Sequence, residues 1–410
     1  MPVLPTIPEN PERMRILVVT DGYPPIHGGL EAHVQRLARH LTSVGIDVAV
    51  VTSAGEAQPL DSWGVTASST SLAKLGRMRH EGSAHLPPPW SDPTMVRTIR
   101  KVTSDFQPDL IHAHGWSSAS AATIARSYNL PLVITLHDYG MLCPMRSLLR
   151  DGDPCTHTAG IRCVACPGSN QSSPKRMSLA AGVVASRRLL PREVTFIAVS
   201  NAVADAHRRA NLRGRMEVIP NFIDMPDRTI LPPQRDGPIL FVGPSGRPKG
   251  MPVLERAHEL LSESGISVKL HHVGGSVVQI QDTVIRSGRL TGDPLQNAFD
   301  QARVVVVPST WAEPCPTVAL EAMVAGRAVV GSAVGGLLDI IDHGVTGFLV
   351  PPNDPSALAG TLGTLLQDYK RLAAMGIAGR RRVERFSTQC VGPKIEATYF
   401  AAIARHRSMQ

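Results

Sequence analysis

Residues 15–51 read RILVVTDGYPPIHGGLEAHVQRLARHLTSVGIDVAVV. Arg15 to Thr20 is a short apolar, β-branched run closed by Asp21-Gly22, the pattern of a strand buried on both faces. The loop YPPIHGG follows. Apolar residues at 30, 34, 37, 38 and 41 then recur with helical period until Gly45 ends the segment, and Val48 to Val51 forms the next strand. Strand, glycine loop, helix and strand make a βαβ unit, which implies a parallel, doubly wound sheet.

The rhythm continues outward from this unit. Leu110–His114 and Leu132–Leu136 read as strands around a helix from Ser117 to Tyr128, and Thr195–Val199 and Glu217–Ile219 as two more. MPDRTILPPQRDGP interrupts the periodicity, after which Ile239–Val242, Val268–Val273, Val304–Val307 and Ala328–Val330 restart it. The expected architecture is α/β, with two Rossmann-like doubly wound parallel-sheet domains facing a cleft. The expected segments are an N-terminal extension (1–14), a first domain (15–225) with a cysteine-bearing loop (138–170), and a linker (226–237). A second domain (238–386) and a final segment (387–410) packing back on the first complete the chain. In open parallel sheets ligands bind beyond the carboxyl ends of the strands, so the loops there carry the candidates.

A chain of 410 residues with 43% hydrophobic positions accommodates two such domains. No run reaches the ~18 apolar residues of a membrane-spanning helix, and MPVLPTIPENPERMR has no basic-then-apolar leader pattern, so a cytoplasmic location is expected. The net charge of +8 invites nucleic acid, anionic membrane or a phosphorylated small molecule as partner. Eight Phe, four Trp and five Tyr with no stacking motif argue against nucleic acid. The basic stretch Lys74–Arg79 leaves a peripheral contact with the inner membrane face open; Arg380–Arg382 fits an ordinary solvated helix.

PSTWAEPCPTVALEAMVAG, residues 308–326, leaves the end of a valine strand. Pro314 and Pro316 keep Glu313 out of a helix, and Pro316 suits the first helical position. The amides of Thr317 and Val318 would then form an anion site at the helix start. Glu313 lies just before that start and Glu321 little more than a turn inside, so both could reach one ligand; a dipole-favoured acid plus a surface Glu explains the spacing equally well. FVGPSGRPKG, residues 241–250, opens a strand into a glycine loop with Arg247 and Lys249, suited to a diphosphate. It matches neither a Walker A sequence nor GxGxxG, which counts against triphosphate hydrolysis and NAD binding. Gly28-Gly29 permits close backbone approach, and His137 follows a strand end on the same side.

Together these segments resemble the family-4 (group-1) retaining glycosyltransferases of the GT-B fold. Glu313 and Glu321 match its E-x7-E motif; Tyr23-Pro24-Pro25 with Gly28, Gly29 and Glu31 resembles its N-terminal loop. Val218–Asn221 with Asp224, and Gly335-Gly336 with Gly344 and Gly347, resemble two further segments, with Asp339 where the family has Glu. The resemblance implies that Glu313 and His137 contact the donor sugar, Glu321 binds the ribose and Lys249 neutralises the leaving diphosphate. The main chain at Arg289, Leu290 and Thr291 would read the base. It implies a nucleotide-diphosphate sugar as co-substrate, a hydroxyl-bearing acceptor, and no cofactor or catalytic metal. Two departures stand out: Pro244 replaces the phosphate-loop arginine, for which Arg247 is the candidate substitute, and Cys315-Pro316 replaces Phe-Gly.

Cys143, Cys155, Cys163 and Cys166 cluster in one loop. A structural zinc on these thiols is one reading; free thiols is the favoured one. The competing functional class is a non-catalytic nucleotide-sugar-binding or redox- or metal-responsive regulator, which Pro244 and Pro316 favour and the intact Glu313, Glu321 and Lys249 oppose. A sugar-nucleotide epimerase would leave the E-x7-E segment unexplained.

Overall fold

A computed structural model describes residues 14–24, 28–53, 66–69, 87–166, 172–275, 278–280 and 283–410. Most of the N-terminal extension, the Lys74–Arg79 stretch and the end of the cysteine-bearing loop lie outside the described residues.

In chain order the strands of the first half are β1 (Arg15–Thr20), β2 (Asp47–Thr52), β3 (Thr66–Ser69), β4 (Leu110–His114), β5 (Leu132–Leu136), β6 (Leu149–Arg150), β7 (Asp153–Pro154), β8 (Thr195–Ala198) and β9 (Arg215–Val218). Its helices are α1 (Gly29–Ser43), α2 (Pro93–Phe106), α3 (Ser118–Ser127), α4 (Ser173–Leu189) and α5 (Asn201–Arg209). The second half has β10 (Ile239–Val242), β11 (Leu270–Val273), β12 (Val278–Ile280), β13 (Val284–Ser287), β14 (Val304–Val307), β15 (Val329–Ser332) and β16 (Gly347–Val350). Its helices are α6 (Met251–Glu263), α7 (Gly292–Gln301), α8 (Thr317–Val324), α9 (Leu337–Ile340), α10 (Pro355–Gln367), α11 (Tyr369–Val383) and α12 (Thr388–Arg407).

The two large sheets each have seven strands, in the orders β3-β2-β1-β4-β5-β8-β9 and β12-β13-β11-β10-β14-β15-β16. All their pairings are parallel except β12 with β13. The fold is therefore the paired, doubly wound α/β architecture expected from the sequence. Each order reverses direction once, between β1 and β4 and between β10 and β14, and a doubly wound sheet binds ligands at that switch point.

Alternation along each strand builds the core on both sides of each sheet. Leu17 and Val19 of β1 enter one apolar cluster, Ile16 and Val18 the other. In the second sheet Leu240 and Val305 face one cluster and Ile239, Val304 and Val306 its opposite. No residue of these strands needs a polar face, which is why they read as unbroken apolar runs.

The last helix crosses back. Val391, Ile395, Tyr399 and Ala402 form a stripe of α12 buried among first-sheet residues and α1, and the Tyr399 hydroxyl bonds His112 Nδ1 at 2.6 Å. Ile223 bridges Ser387 where the chain returns.

Candidate functional site

The two switch points face each other across a cavity of about 920 Å³, near the upper end of what small-ligand sites occupy. One wall comes from the first half: Pro24, Gly28, Gly29 and, one helical turn on, Ala32, Gln35 and Arg36 of α1. The other wall comes from the second half. It comprises Gly243, Pro244 and Lys249 after β10, Gly274 after β11, Arg289–Thr291 before α7 with Gly292 at its start, and Thr317, Val318 and Glu321 of α8.

Glu313 lies beside this wall, only 8% exposed. Lys249 donates to Glu313 Oε1, and the Ser309 hydroxyl donates to Oε2 at 2.6 Å. The loop holding Glu313 is shaped by Gly335 and Gly336. The Gly336 amide donates to the Glu313 carbonyl at 2.7 Å, and Gly335, at φ +58°, lies so close that a Cβ would come within 2.3 Å of that carbonyl oxygen. The glycine pair is thus required at this point of the fold.

The helix start differs by one residue from the expectation. Pro316 is the cap residue of α8, not its first helical residue, and no side chain caps the helix. The Thr317 and Val318 amides therefore begin the helix, with Glu321 on its next turn. Burial pushes the Glu321 carboxyl above its usual range, and Arg36 across the cavity offsets part of that effect.

Not every sequence candidate reaches the cavity. Arg247 is exposed and lines a separate cleft of about 430 Å³ with Met145, Ser147, Leu149 and Asp151. Lys249 and Pro244 line the cavity, whereas Arg247, two residues before Lys249, lines the neighbouring cleft. His137 is half-buried at the end of β5, and its Nε2 pairs with His114 Nδ1 at 2.9 Å. Burial lowers its pKa to about 4, so it is a neutral imidazole.

Several residues escaped the sequence reading. Arg36 lies seven residues beyond Gly29 on the same helix face; helical spacing from the glycine pair is the signal that would have found it. Its ion pair with Asp224 spans 3.3 Å and is open to solvent on the Asp side. Arg146, from the cysteine-bearing loop, bonds Asp138 at 2.6 Å and reaches Asp21 at 3.4 Å. Asp21 in turn accepts from the Trp116 and Ser117 amides at 3.0 and 2.7 Å. The loop is therefore pinned to the ends of β1 and β5, a contact no local pattern signals. The thiols of that loop act on one another: after burial, Cys163 and Cys155 raise the Cys166 thiol, and Cys163 raises that of Cys143. Among the described residues, the one place where three or more His, Cys, Asp or Glu donors lie within 4.8 Å of each other is His33, His114 and His137.

Contacts also cross between the two halves. The Tyr139 hydroxyl donates to the Ala312 carbonyl at 2.7 Å, and the Asp339 carboxylate accepts from the Asn201 backbone and side-chain amides at 2.8 and 2.9 Å.

Comparison with known proteins gives a consistent answer. The family described as Glycosyltransferase Family 4 matches residues 27–226, and the one described as Glycosyl transferases group 1 matches residues 237–368. The chain is 27% identical to a D-inositol 3-phosphate glycosyltransferase of Salinispora tropica, over 93% of this chain and 82% of that protein. It is likewise 27% identical to a glycogen synthase of Mycobacterium tuberculosis, over 97% of each. Among solved structures, sucrose-phosphate synthase from Thermosynechococcus elongatus aligns with a TM-score of 0.71 and 22% identity, covering 96% of this chain and all of that one. The Anabaena protein HepE, solved with UDP and glucose, aligns at 0.66 and 19% identity, covering 94% and 99%. These two likenesses carry the fold.

Proposed function

The chain belongs to the family-4, group-1 glycosyltransferases of the GT-B fold, and from that premise we propose that it is a retaining, metal-independent hexosyltransferase. It moves the sugar of a nucleotide-diphosphate sugar to the hydroxyl of a small molecule, sugar phosphate, secondary-metabolite aglycone or lipid. The observation that carries this reading is the cavity between the switch points, which gathers Gly28, Gly29, Lys249, Leu290, Thr317, Val318 and Glu321 around one ligand-sized space. The UDP complexes of HepE agree with a nucleotide-sugar donor.

In this reading Glu321 accepts from the ribose hydroxyls and the Leu290 segment reads the base. The diphosphate lies against the Thr317 and Val318 amides and Lys249, with Arg36 adding charge from the opposite wall. The anomeric carbon–phosphate oxygen bond breaks as the bond to the acceptor oxygen forms on the same face. The acceptor proton passes to the departing phosphate oxygen, so configuration is kept. Two features support this front-face path over a covalent one. Both Glu313 oxygens are occupied, by Lys249 and Ser309, which blunts the carboxylate as a nucleophile. His137 is neutral, a hydrogen-bonding partner for sugar hydroxyls. Electrostatic stabilisation of the leaving diphosphate is then the main catalytic contribution.

The test is turnover against a panel of nucleotide-diphosphate sugars, with the anomeric configuration of the product read by NMR. Transfer with the donor's configuration is expected. An inverted product overturns the front-face path, and donor binding with neither transfer nor donor hydrolysis favours the regulatory class instead.

A further inference from the structure

Four histidines gather at the carboxyl end of the first sheet. His112 and His114 close β4, His137 follows β5, and His33 sits one turn into α1 above them. The His33 ring lies 5.8 Å from His114 and 4.7 Å from His137, centroid to centroid, and His114 and His137 stack at 5.2 Å. His112 has both nitrogens satisfied, by Tyr399 and Thr135 at 2.6 and 2.7 Å. His33 and His114 do not. His33 is 3% exposed and His114 fully buried, yet neither His33 nitrogen nor His114 Nε2 has a hydrogen-bond partner.

An unpaired buried polar atom is a penalty that a packed core ordinarily removes. Here the orphaned nitrogens belong to His33 and His114, and one donor nitrogen each of His33, His114 and His137 lies within 4.8 Å of the other two. We propose that His33, His114 and His137 form a three-imidazole site for a divalent cation of the zinc, cobalt or nickel kind, with its open position at the half-exposed His137. Three imidazoles and one open position are a recurrent donor set for zinc, and all-nitrogen ligands favour these ions over magnesium or calcium. The geometry requires little rearrangement. Two nitrogens on a tetrahedral zinc at ~2.0–2.1 Å lie about 3.3–3.4 Å apart; His114 Nδ1 and His137 Nε2 now bond each other at 2.9 Å, so the ion replaces that hydrogen bond and spreads the pair slightly. The imidazoles are held neutral by burial, so no net proton is released; the hydrogen shared between His114 Nδ1 and His137 Nε2 moves to the far nitrogen of its own ring as the ion binds. Phe222, edge-on to His33 at 4.9 Å, supplies an apolar flank.

The ion plays no part in the proposed transfer. It occupies the imidazole that would otherwise meet the donor sugar, so on the transferase reading it acts as a competing inhibitor.

Cobalt(II) titration of the full chain, followed by visible absorption, tests the site without any nucleotide sugar, so absent transferase activity leaves the result intact. The expected result is one equivalent of tetrahedral d–d absorption with no thiolate charge-transfer band, retained in the C163S/C166S double variant. His33→Gln and His114→Asn should each weaken it tenfold or more, their folding checked by circular dichroism. Magnesium in excess should not displace the cobalt. A thiolate charge-transfer band lost in C163S/C166S would move the metal to the cysteine-bearing loop and overturn the proposal. So would unchanged binding in folded His33 and His114 variants, or no stoichiometric binding at all.

Discussion

Lys249 and Glu313 meet as an ion pair at the back of the cleft, bringing together the loop after β10 and the loop before α8, 64 residues apart in sequence. Glu313 is nearly buried while Lys249 stays about one-third exposed. The pair therefore presents a cation to the cavity and keeps its acid behind it. Ser309 holds the second carboxylate oxygen, so the acid cannot turn toward the ligand without losing both partners.

Removing the cation alone should hurt twice. On the proposed function Lys249→Met strips the diphosphate of its counter-charge, and loss of one such stabilising group lowers kcat by roughly 10²–10³-fold. It also leaves Glu313 buried without its partner. Breaking a fully buried pair costs about 3–5 kcal/mol, and the solvent at Lys249 makes the loss here smaller. Adding Glu313→Gln removes the stranded charge. The double variant should recover stability in urea denaturation but not turnover; recovery of turnover would mean that Lys249 serves the loop alone.

Arg247 and Arg36 make a sharper comparison. Arg247 lines the neighbouring cleft, so Arg247→Ala should shift donor affinity by no more than the ~0.5 kcal/mol of an ordinary surface substitution. Arg36 lines the cavity itself, and a lost charged hydrogen bond is worth about 1.5–3 kcal/mol. Arg36→Ala should therefore weaken nucleotide-sugar binding tenfold or more by calorimetry. The reverse ranking would return Arg247 to the donor site.

That contrast shows where sequence is informative and where it stops. The βαβ unit of residues 15–51 was legible because a strand buried on both faces must be apolar throughout, and a helix on its surface must repeat every three to four residues. Glu321, Thr317 and Val318 were legible because the prolines fix where α8 can start. Arg247 was misleading because direction in a turn depends on φ and ψ, which composition does not encode. Lys249 and Arg247 look equivalent in RPK, yet one short 3-10 turn sends them to different clefts. Arg146 and His33 act through partners more than 80 residues away, Asp21 and His114, and no local pattern announces such contacts.

The histidine cluster sets an acid limit. Burial lowers His112 to about 3 and His137 and His207 to about 4, with His33 and His114 also well down. The unfolded chain titrates these groups near ~6.5, so below that pH it binds more protons than the folded chain. Stability then falls as pH drops from about 6.5 toward 4 and changes little through these groups above 7. Urea midpoints measured across this range should decline with falling pH, and less steeply in His207→Gln, which lies outside the metal-site cluster. A flat profile would place these imidazoles in contact with solvent.

Glu321 runs the opposite way. Its carboxyl is raised by burial, so the folded state holds the proton at a pH where the unfolded chain has released it. The destabilisation is absent below the unfolded pKa and complete once pH exceeds the folded one. Glu321→Gln should raise the melting temperature at about pH 8 more than at about pH 5, while weakening donor binding by removal of the ribose acceptor. A stabilised variant with poorer affinity is the signature of a buried acid kept for its ligand. Equal affinity would take Glu321 out of the site.

Among the contacts that join the two walls of the cleft, Asp339 makes two hydrogen bonds to one residue. Its carboxylate sits at the N-terminus of α5, taking both the Asn201 main-chain and side-chain amides, where the helix dipole favours an anion. Each such bond is worth about 0.5–1.5 kcal/mol, and Tyr139 to Ala312 adds one more across the same divide. Asp339→Ala removes contacts that exist only when the halves are together, so it should leave the melting temperature nearly unchanged. It should lower kcat/KM about tenfold, which corresponds to ~1.4 kcal/mol. Asp339→Glu should retain most activity by reaching the same amides. Tyr139→Phe should act in the same direction. If both lower kcat/KM through one closed state, small-angle scattering of each should show a larger radius of gyration in the presence of donor than the parent chain. Variants with impaired turnover and an unchanged radius would locate these contacts in the chemistry rather than in closure.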